Sequence, residues 1–336
     1  MTDRVVAIVG ATGVVGRTML SILEERSFPL ADLRLMASSR SAGNRVDTKW
    51  GEIVVEDLAE ADPSGIDIAL FSAGAARSRG HAPRFAAAGA VVVDNSSAFR
   101  GDPEIPLVVA DVNDDHLSRH AGIIANPNCT TMALMVAAGP LHGAAGLRSM
   151  VATSYQAVSG SGGAAVDELM RQTRLLLNDP DALRTGAWKD PGAEVYVRPI
   201  AFNAIPYAGT ETERGYTDEE WKLVNESRKI LDIPDLPVEP TCVRVPAVAG
   251  HGVAATLRFE RPLPIEEAKE ILASAPGGDL WTDRIPTALD SAGRDEVLIG
   301  RVRETLGEPG GINLWVVGDN LRKGAALNTI QIAERI

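Results

Sequence analysis

The segment Asn126-Pro127-Asn128-Cys129-Thr130-Thr131 sets one of the chain's two cysteines in a Pro/Asn-rich turn. The apolar run from Met132 to Ala138 follows at once and reads as a helix. Cys129 therefore falls at or near a helix N-terminus, where the partial positive charge favours thiolate over thiol. A thiolate is a strong nucleophile toward carbonyl carbon. The second chemical signal is Gly10-Ala11-Thr12-Gly13-Val14-Val15-Gly16, which closes a β-branched run from Arg4 to Val9 and opens a helical pattern through Leu23. Glycines at that spacing let backbone N–H groups approach a pyrophosphate at the helix N-terminus. A cysteine nucleophile beside a nicotinamide suggests aldehyde oxidation through a thioester, or the reverse reduction of an acyl group.

The end of the second strand selects the cofactor. Folds that prefer NAD place an acid there to hold the ribose 2′-hydroxyl. Here the strand ends in Ala37-Ser38-Ser39-Arg40-Ser41-Ala42-Gly43, with an arginine and hydroxyls but no acid. That composition suits a 2′-phosphate, hence NADP.

The nucleophile needs a base, and the five histidines are His81, His116, His120, His142 and His251. His251 has glycines on both sides, which permits close approach by a ligand, but spacing alone does not choose it over the others. Arg100, closing Asp94-Asn95-Ser96-Ser97-Ala98-Phe99-Arg100, and Arg244, in the strand leading toward His251, could each clamp a carboxylate or phosphate with two hydrogen bonds. Either could equally be a surface ion pair. Glu219, Glu220 and Lys222 begin a helical stretch, where acids complement the dipole. Cys242 lies in an apolar strand and reads as a small core residue.

These residues must be positioned by a chain of 336 residues, long enough for two domains. Its net charge of −12 argues against nucleic acid or an anionic membrane as general partners. Two distant cysteines make no disulfide framework and no zinc spacing, which favours a reducing compartment. There is no signal-peptide pattern or membrane-length apolar stretch, so the expected setting is cytoplasmic.

Strand-like runs at 4–9, 33–39, 66–73, 90–94, 107–110 and 122–125, with helices between them such as 77–88, predict alternating β/α wiring and a parallel sheet. After Cys129 the pattern changes. Strands are expected at 148–154, 241–248 and 252–259, and helices at about 164–177, 218–231 (with Thr217 as N-cap) and 265–273. The Pro- and Gly-rich stretch 178–215 reads mostly as loop, and 325–336 as a terminal helix.

Taken together, GATGVVG, ASSRSAG, DNSSAFR, NPNCTT, SYQAVSGSG, EEWK, RVPAVAGH and GDNLRKGAALNTIQIAE resemble the aspartate-semialdehyde dehydrogenase family, in order and nearly end to end. The resemblance implies an α/β protein. Residues 1–128 would form a Rossmann-like, doubly wound NADP domain to which 319–336 return. Residues 129–318 would form an α+β catalytic and dimerisation domain with a mostly antiparallel sheet. It implies Cys129 as nucleophile, His251 as acid/base and Gln156 as the residue that positions the acyl intermediate. Arg244 would bind the substrate carboxylate, Glu219 its ammonium, and Arg100 with Lys222 the phosphate; Asn128 joins this substrate set. The candidate cofactor set is Gly10, Thr12, Gly13, Val14, Val15, Ser38, Arg40, Ser41, Ser72, Ala73, Gly74, Ser159, Gly160, Asn320 and Gln331, with Gln331 near the nicotinamide. No metal is expected, and the expected assembly is a homodimer. The implied substrates are aspartyl phosphate, aspartate semialdehyde and phosphate. One departure stands out: the residue after the histidine is often Ser in the family and is Gly252 here. The related N-acetyl-γ-glutamyl-phosphate reductases share the cysteine chemistry, but an acylated substrate has no use for an acid at the ammonium site. A non-catalytic homologue would not need Cys129, Gln156, His251 and both arginines.

Overall fold

Alternate residues of the first strand enter two different cores. In the computed structural model, which describes residues 3–336, β1 (Arg4–Val9) sends Val6 and Ile8 into one apolar cluster and Ala7 and Val9 into another. That is the period-two pattern of a strand covered on both faces. Full burial of each Val, Leu or Ile contributes roughly 1.5–3 kcal/mol. The chain continues through α1 (Val14–Glu25), β2 (Leu30–Ala37), the hairpin β3 (Arg45–Thr48) and β4 (Gly51–Val54), β5 (Glu56–Asp57), β6 (Ile68–Phe71), α2 (Ala75–Ala87), β7 (Val91–Asp94) and β8 (Ile123–Ala125). The first of two six-stranded sheets has the order β5-β2-β1-β6-β7-β8, with every pairing parallel. Strand order reverses at β1, so the crevice for a ligand lies beyond its carboxyl end, at Gly10.

The expected strand at 107–110 is not formed. Only Leu107 makes an isolated bridge, to Ala125. The Val109 N–H instead donates to the Asn113 side chain (2.9 Å) and the Ala110 N–H to the Asn328 side chain (2.9 Å). Two amide oxygens thus replace a strand partner, and an apolar run is buried without joining the sheet.

The chain divides into two compact units. One comprises the residues up to Gly139 with Asn225–Pro234 and Leu321–Ile336; the other comprises Pro140–Val224 and Asp235–Asn320. Helix α3 (Cys129–Ala145) begins in the first unit. It is buried continuously from Thr130 to Ala138, as an all-round apolar helix must be.

The second unit carries β9 (Leu147–Gln156), α4 (Gly163–Leu176), α5 (Pro180–Thr185), the start of α6 (Asp218–Ile230), β10 (Val238–Arg244), β11 (His251–Phe259), α7 (Ile265–Ala273), β12 (Gly278–Trp281), α8 (Ala288–Ser291), β13 (Val297–Glu304) and β14 (Ile312–Gly318). Its sheet has the order β10-β9-β11-β14-β13-β12. The three central pairings are antiparallel and the two outer ones parallel. At the start of α6, Thr217 and Glu220 exchange side-chain-to-backbone hydrogen bonds (3.3 and 2.9 Å), a capping box around the expected N-cap. The expected terminal helix is two pieces of the first unit, a π-helical turn over Arg322–Leu327 and α9 (Asn328–Ala333). Among the described residues, no helix is long and apolar enough to cross a membrane.

Candidate active site

The glycine turn of the first unit is built for close backbone approach. Gly10 has φ 92°, and a Cβ there would lie 2.3 Å from the Ser72 carbonyl oxygen. A Cβ on Gly16 would lie 2.2 Å from the carbonyl oxygen of Gly10. These contacts hold the turn against Ser72 and Ala73, so the segment Ser72-Ala73-Gly74 borders it. Gly13 is the N-cap of α1 and has no side chain to satisfy the N–H groups of the first turn, which begins with Val14 and Val15. Thr12 Oγ1 donates to Ser41 Oγ at 3.3 Å, which brings the Ser38–Ser41 loop to the same turn. Arg40 in that loop is exposed. The backbone thus fits a pyrophosphate. Gln331, on α9, accepts a hydrogen bond from the buried Lys323 ammonium at 2.6 Å.

Cys129 is the first residue of α3 and is partly exposed. Asn128 caps the helix, with Oδ1 accepting the Thr130 N–H at 2.9 Å. The Asn128 N–H donates to Glu226 Oε2 at 2.6 Å, and Arg100 Nη1 donates to Glu226 Oε1 at 3.1 Å. Arg100 also donates to the Asn95 carbonyl at 2.9 Å. Nothing in the local sequence marks Glu226, an acid within an amphipathic helix. Its i+7 spacing from Glu219 is the only signal. The other cysteine, Cys242, is fully buried, and burial pushes its thiol up to about 12.

In the second unit, strand register assembles the polar groups. Gln156 and Arg244 are partners at the carboxyl ends of the parallel strands β9 and β10. Strand β11 runs the opposite way from β9, so its first residue, His251, falls at the same end of the sheet. All three side chains are buried. Gln156 Nε2 donates to Ser154 Oγ (3.2 Å) and Glu219 Oε1 (3.4 Å). Glu219 Oε2 in turn accepts from Lys222 Nζ at 2.9 Å, and Asp218 accepts from the same ammonium at 2.6 Å. Burial works against the Lys222 charge, but Glu219 and Asp218 outweigh it and raise the pKa. Arg244 donates to the Ala157 carbonyl at 3.4 Å, and among the described residues no carboxylate forms an ion pair with it.

His251 is 1% exposed. Its Nδ1 accepts the Ala157 N–H at 3.0 Å, so the neutral ring carries its proton on Nε2. Among the described residues Nε2 has no hydrogen-bond partner. Burial, reinforced by the Arg244 charge and partly opposed by Glu219, lowers the imidazole pKa to about 3. The ring is therefore neutral near pH 7. A Cβ on Gly160 would lie 2.8 Å from Nε2 and 3.4 Å from Arg244 Nη1, so only glycine leaves that nitrogen open. Asn320 donates to Ser159 Oγ (3.0 Å) and accepts the Gly250 N–H (3.0 Å), tying the Ser159-Gly160 turn to the start of β11. Of the other histidines, His116 pairs with Asp232 at 3.0 Å and His142 accepts the Leu147 N–H at 2.9 Å. Both serve local structure.

A semialdehyde dehydrogenase NAD binding domain model matches residues 5–120, and a semialdehyde dehydrogenase dimerisation domain model matches 139–323. The aspartate-semialdehyde dehydrogenase of Mycolicibacterium smegmatis is 52% identical, with 98% of this chain and 97% of that protein covered. The Bacillus subtilis enzyme of the same name is 44% identical over 98% of this chain and 96% of its own length. The crystal structure of aspartate semialdehyde dehydrogenase II from Vibrio cholerae superposes with a TM-score of 0.94 at 44% identity, covering 99% of this chain and 98% of that one. The same enzyme solved in complex with ASA also superposes with a TM-score of 0.94, at 43% identity over 100% of this chain and 98% of that one. With a backbone cradle for a dinucleotide, a cysteine at a capped helix start and the matching sequence along its length, the chain belongs to the aspartate-semialdehyde dehydrogenase family.

Proposed function

We propose that the chain reduces 4-phospho-L-aspartate to L-aspartate 4-semialdehyde through a thioester on Cys129, with NADPH as the reductant, in the synthesis of aspartate-derived amino acids. The observation that carries this reading is the charge pattern of the second unit. Arg244 is a buried cation with no carboxylate partner among the described residues, and Glu219 is a buried carboxylate hydrogen-bonded to Gln156 and paired with Lys222. Together they complement the α-carboxylate and α-ammonium of a free amino acid. An N-acylated substrate would offer Glu219 no ammonium to bind, which disfavours the acetylglutamyl alternative.

Cys129 thiolate attacks the acyl carbon, the C–O bond to phosphate breaks, and phosphate leaves with the electron pair and takes up a proton. Arg100 and Lys222 offset the charge of the phosphate. The Gly10–Val15 turn and the Ser38–Ser41 loop would hold the dinucleotide, which would supply a hydride when bound. His251 Nε2–H donates a hydrogen bond to the oxyanion that forms on the substrate carbon and stabilises it. Gln156 orients the acyl group, and collapse of the hemithioacetal returns the thiolate. Arg40, Ser38 and Ser41 favour NADP over NAD because they can pair with a 2′-phosphate. The match over residues 139–323 supports a homodimer, which sedimentation at two protein concentrations would test.

The deciding experiment measures NADPH formation from L-aspartate semialdehyde and NADP⁺, with and without phosphate, for wild type and Cys129→Ala. Phosphate-dependent turnover abolished in the variant is the expected result. A wild type that binds NADP but does not turn over sinks the substrate assignment.

A further inference from the structure

Glu226 has no place in the reaction just described, yet it touches two parts of it. Its side chain is 4% exposed, and its two oxygens are divided between Arg100 Nη1 (3.1 Å) and the backbone N–H of Asn128 (2.6 Å). Asn128 is the cap of the nucleophile helix, with its side chain on the Thr130 N–H. A helix cap commonly has its own N–H satisfied by an acid three residues on. That position is Thr131 here, which carries no carboxylate, and Glu226 accepts the bond in its stead. One turn further along the same helix, Lys229 Nζ donates to the carbonyls of Arg100 (3.0 Å), Asp102 and Ile105 (2.7 Å). The 225–230 segment therefore grips the Arg100 loop at its backbone and at its guanidinium, and grips the Cys129 turn through the same carboxylate.

We propose that Glu226 is a positioning residue that fixes Arg100 relative to Cys129 and tempers the positive end of α3. The inference rests on the roles given above to Cys129 and Arg100. A carboxylate at a helix N-terminus opposes ionisation of a thiol there, and Arg100 offsets part of that opposition. Glu226 thus sets both the geometry of the anion-binding arginine and the charge felt by the nucleophile.

The test uses the full-length enzyme with Glu226→Gln and Glu226→Asp. Two readouts are taken: kcat for phosphate-dependent NADPH formation, and the pH midpoint of Cys129 alkylation by iodoacetamide, followed on the Cys129 peptide. Cys242, buried and with a high pKa, does not compete. Glutamine keeps the size but offers an acceptor to only one of the two donors. It should lower kcat about tenfold or more and move the alkylation midpoint to lower pH. Aspartate keeps the charge but shortens the reach. It should lower kcat while leaving the midpoint at the wild-type value. An unshifted midpoint in Glu226→Gln, whatever its kcat, reduces the residue to packing and overturns the proposal. So does a wild-type kcat in Glu226→Asp, which decides the matter if the glutamine variant does not fold. Alkylation needs no turnover, so an inactive wild type would refute the proposed reaction while still leaving Glu226 open to judgement.

Discussion

The indole of Trp315 lies directly over Gly252, so that a Cβ at position 252 would sit 2.2 Å from ring atoms Cη2 and Cζ2. The two residues are on adjacent strands, β11 and β14, and the indole is held in place by its N–H on the Pro286 carbonyl (3.0 Å) and by the Tyr155 ring (centroids 5.6 Å apart). This accounts for glycine at position 252: the space a side chain would need is filled by Trp315. Gly252→Ser should therefore cost about 1–3 kcal/mol, as overpacking does, and should lower activity because His251 is the preceding residue. Thermal unfolding and steady-state kinetics check it. The double variant Gly252→Ser/Trp315→Ala should recover part of the lost activity, and additive losses would show that the ring is not the cause.

Gly160 leads to a second prediction. Its φ is not left-handed, so alanine carries no left-handed backbone strain, and the nearest obstacle is the His251 ring, with Nε2 at 2.8 Å and Cε1 at 3.1 Å from the new Cβ. Gly160→Ala should displace the imidazole and lower kcat on the order of 10²-fold, with a melting temperature close to wild type. Unchanged kcat would mean that the ring moves without consequence.

The contrast between these two glycines and those of the N-terminal turn shows what the sequence could reveal. Gly10 and Gly13 were readable because their meaning is local: a strand, a turn and a helix within about one βαβ unit. The place of Cys129 at a helix start is legible for the same reason. Gln156, Arg244 and His251 lie on three strands, and only the parallel and antiparallel registers bring them to one sheet end. No single strand encodes that, and the resemblance to a family had to nominate them. The run at 107–110 has the composition of a strand because it is buried, but Asn113 and Asn328 supply acceptors for two of its N–H groups where a strand partner would. Glu226 and Trp315 act on residues distant in sequence and carry no local mark.

The neutral His251 has consequences for pH. Its pKa is lowered from 6.5 to about 3, so the unfolded chain binds the proton more readily than the folded one. The stability contributed by keeping the ring neutral is fully present above about pH 6.5 and is lost as pH falls toward about 3. Wild type should therefore lose stability more steeply than His251→Gln across that interval, as measured by denaturant unfolding at several pH values. Parallel curves would place the histidine pKa near its ordinary value. Burial is the larger cause and Arg244 the second, so Arg244→Met should raise the His251 pKa without restoring 6.5.

Cofactor choice gives the last prediction. The Ser38–Ser41 loop is joined to the glycine turn by the Thr12–Ser41 hydrogen bond, and Arg40 projects from it exposed. An exposed guanidinium contributes little to stability, since its charge is already solvated. Its removal should therefore act on binding alone. Arg40→Ala should raise KM for NADPH about tenfold, the equivalent of roughly 1.4 kcal/mol, while changing KM for NADH little. Loss of affinity for both nucleotides alike would show that Arg40 shapes the loop and does not contact a 2′-phosphate. Retained NADPH affinity would leave the proposed 2′-phosphate contact to the rest of the loop, where Ser41 Oγ bonds Thr12 beside the turn.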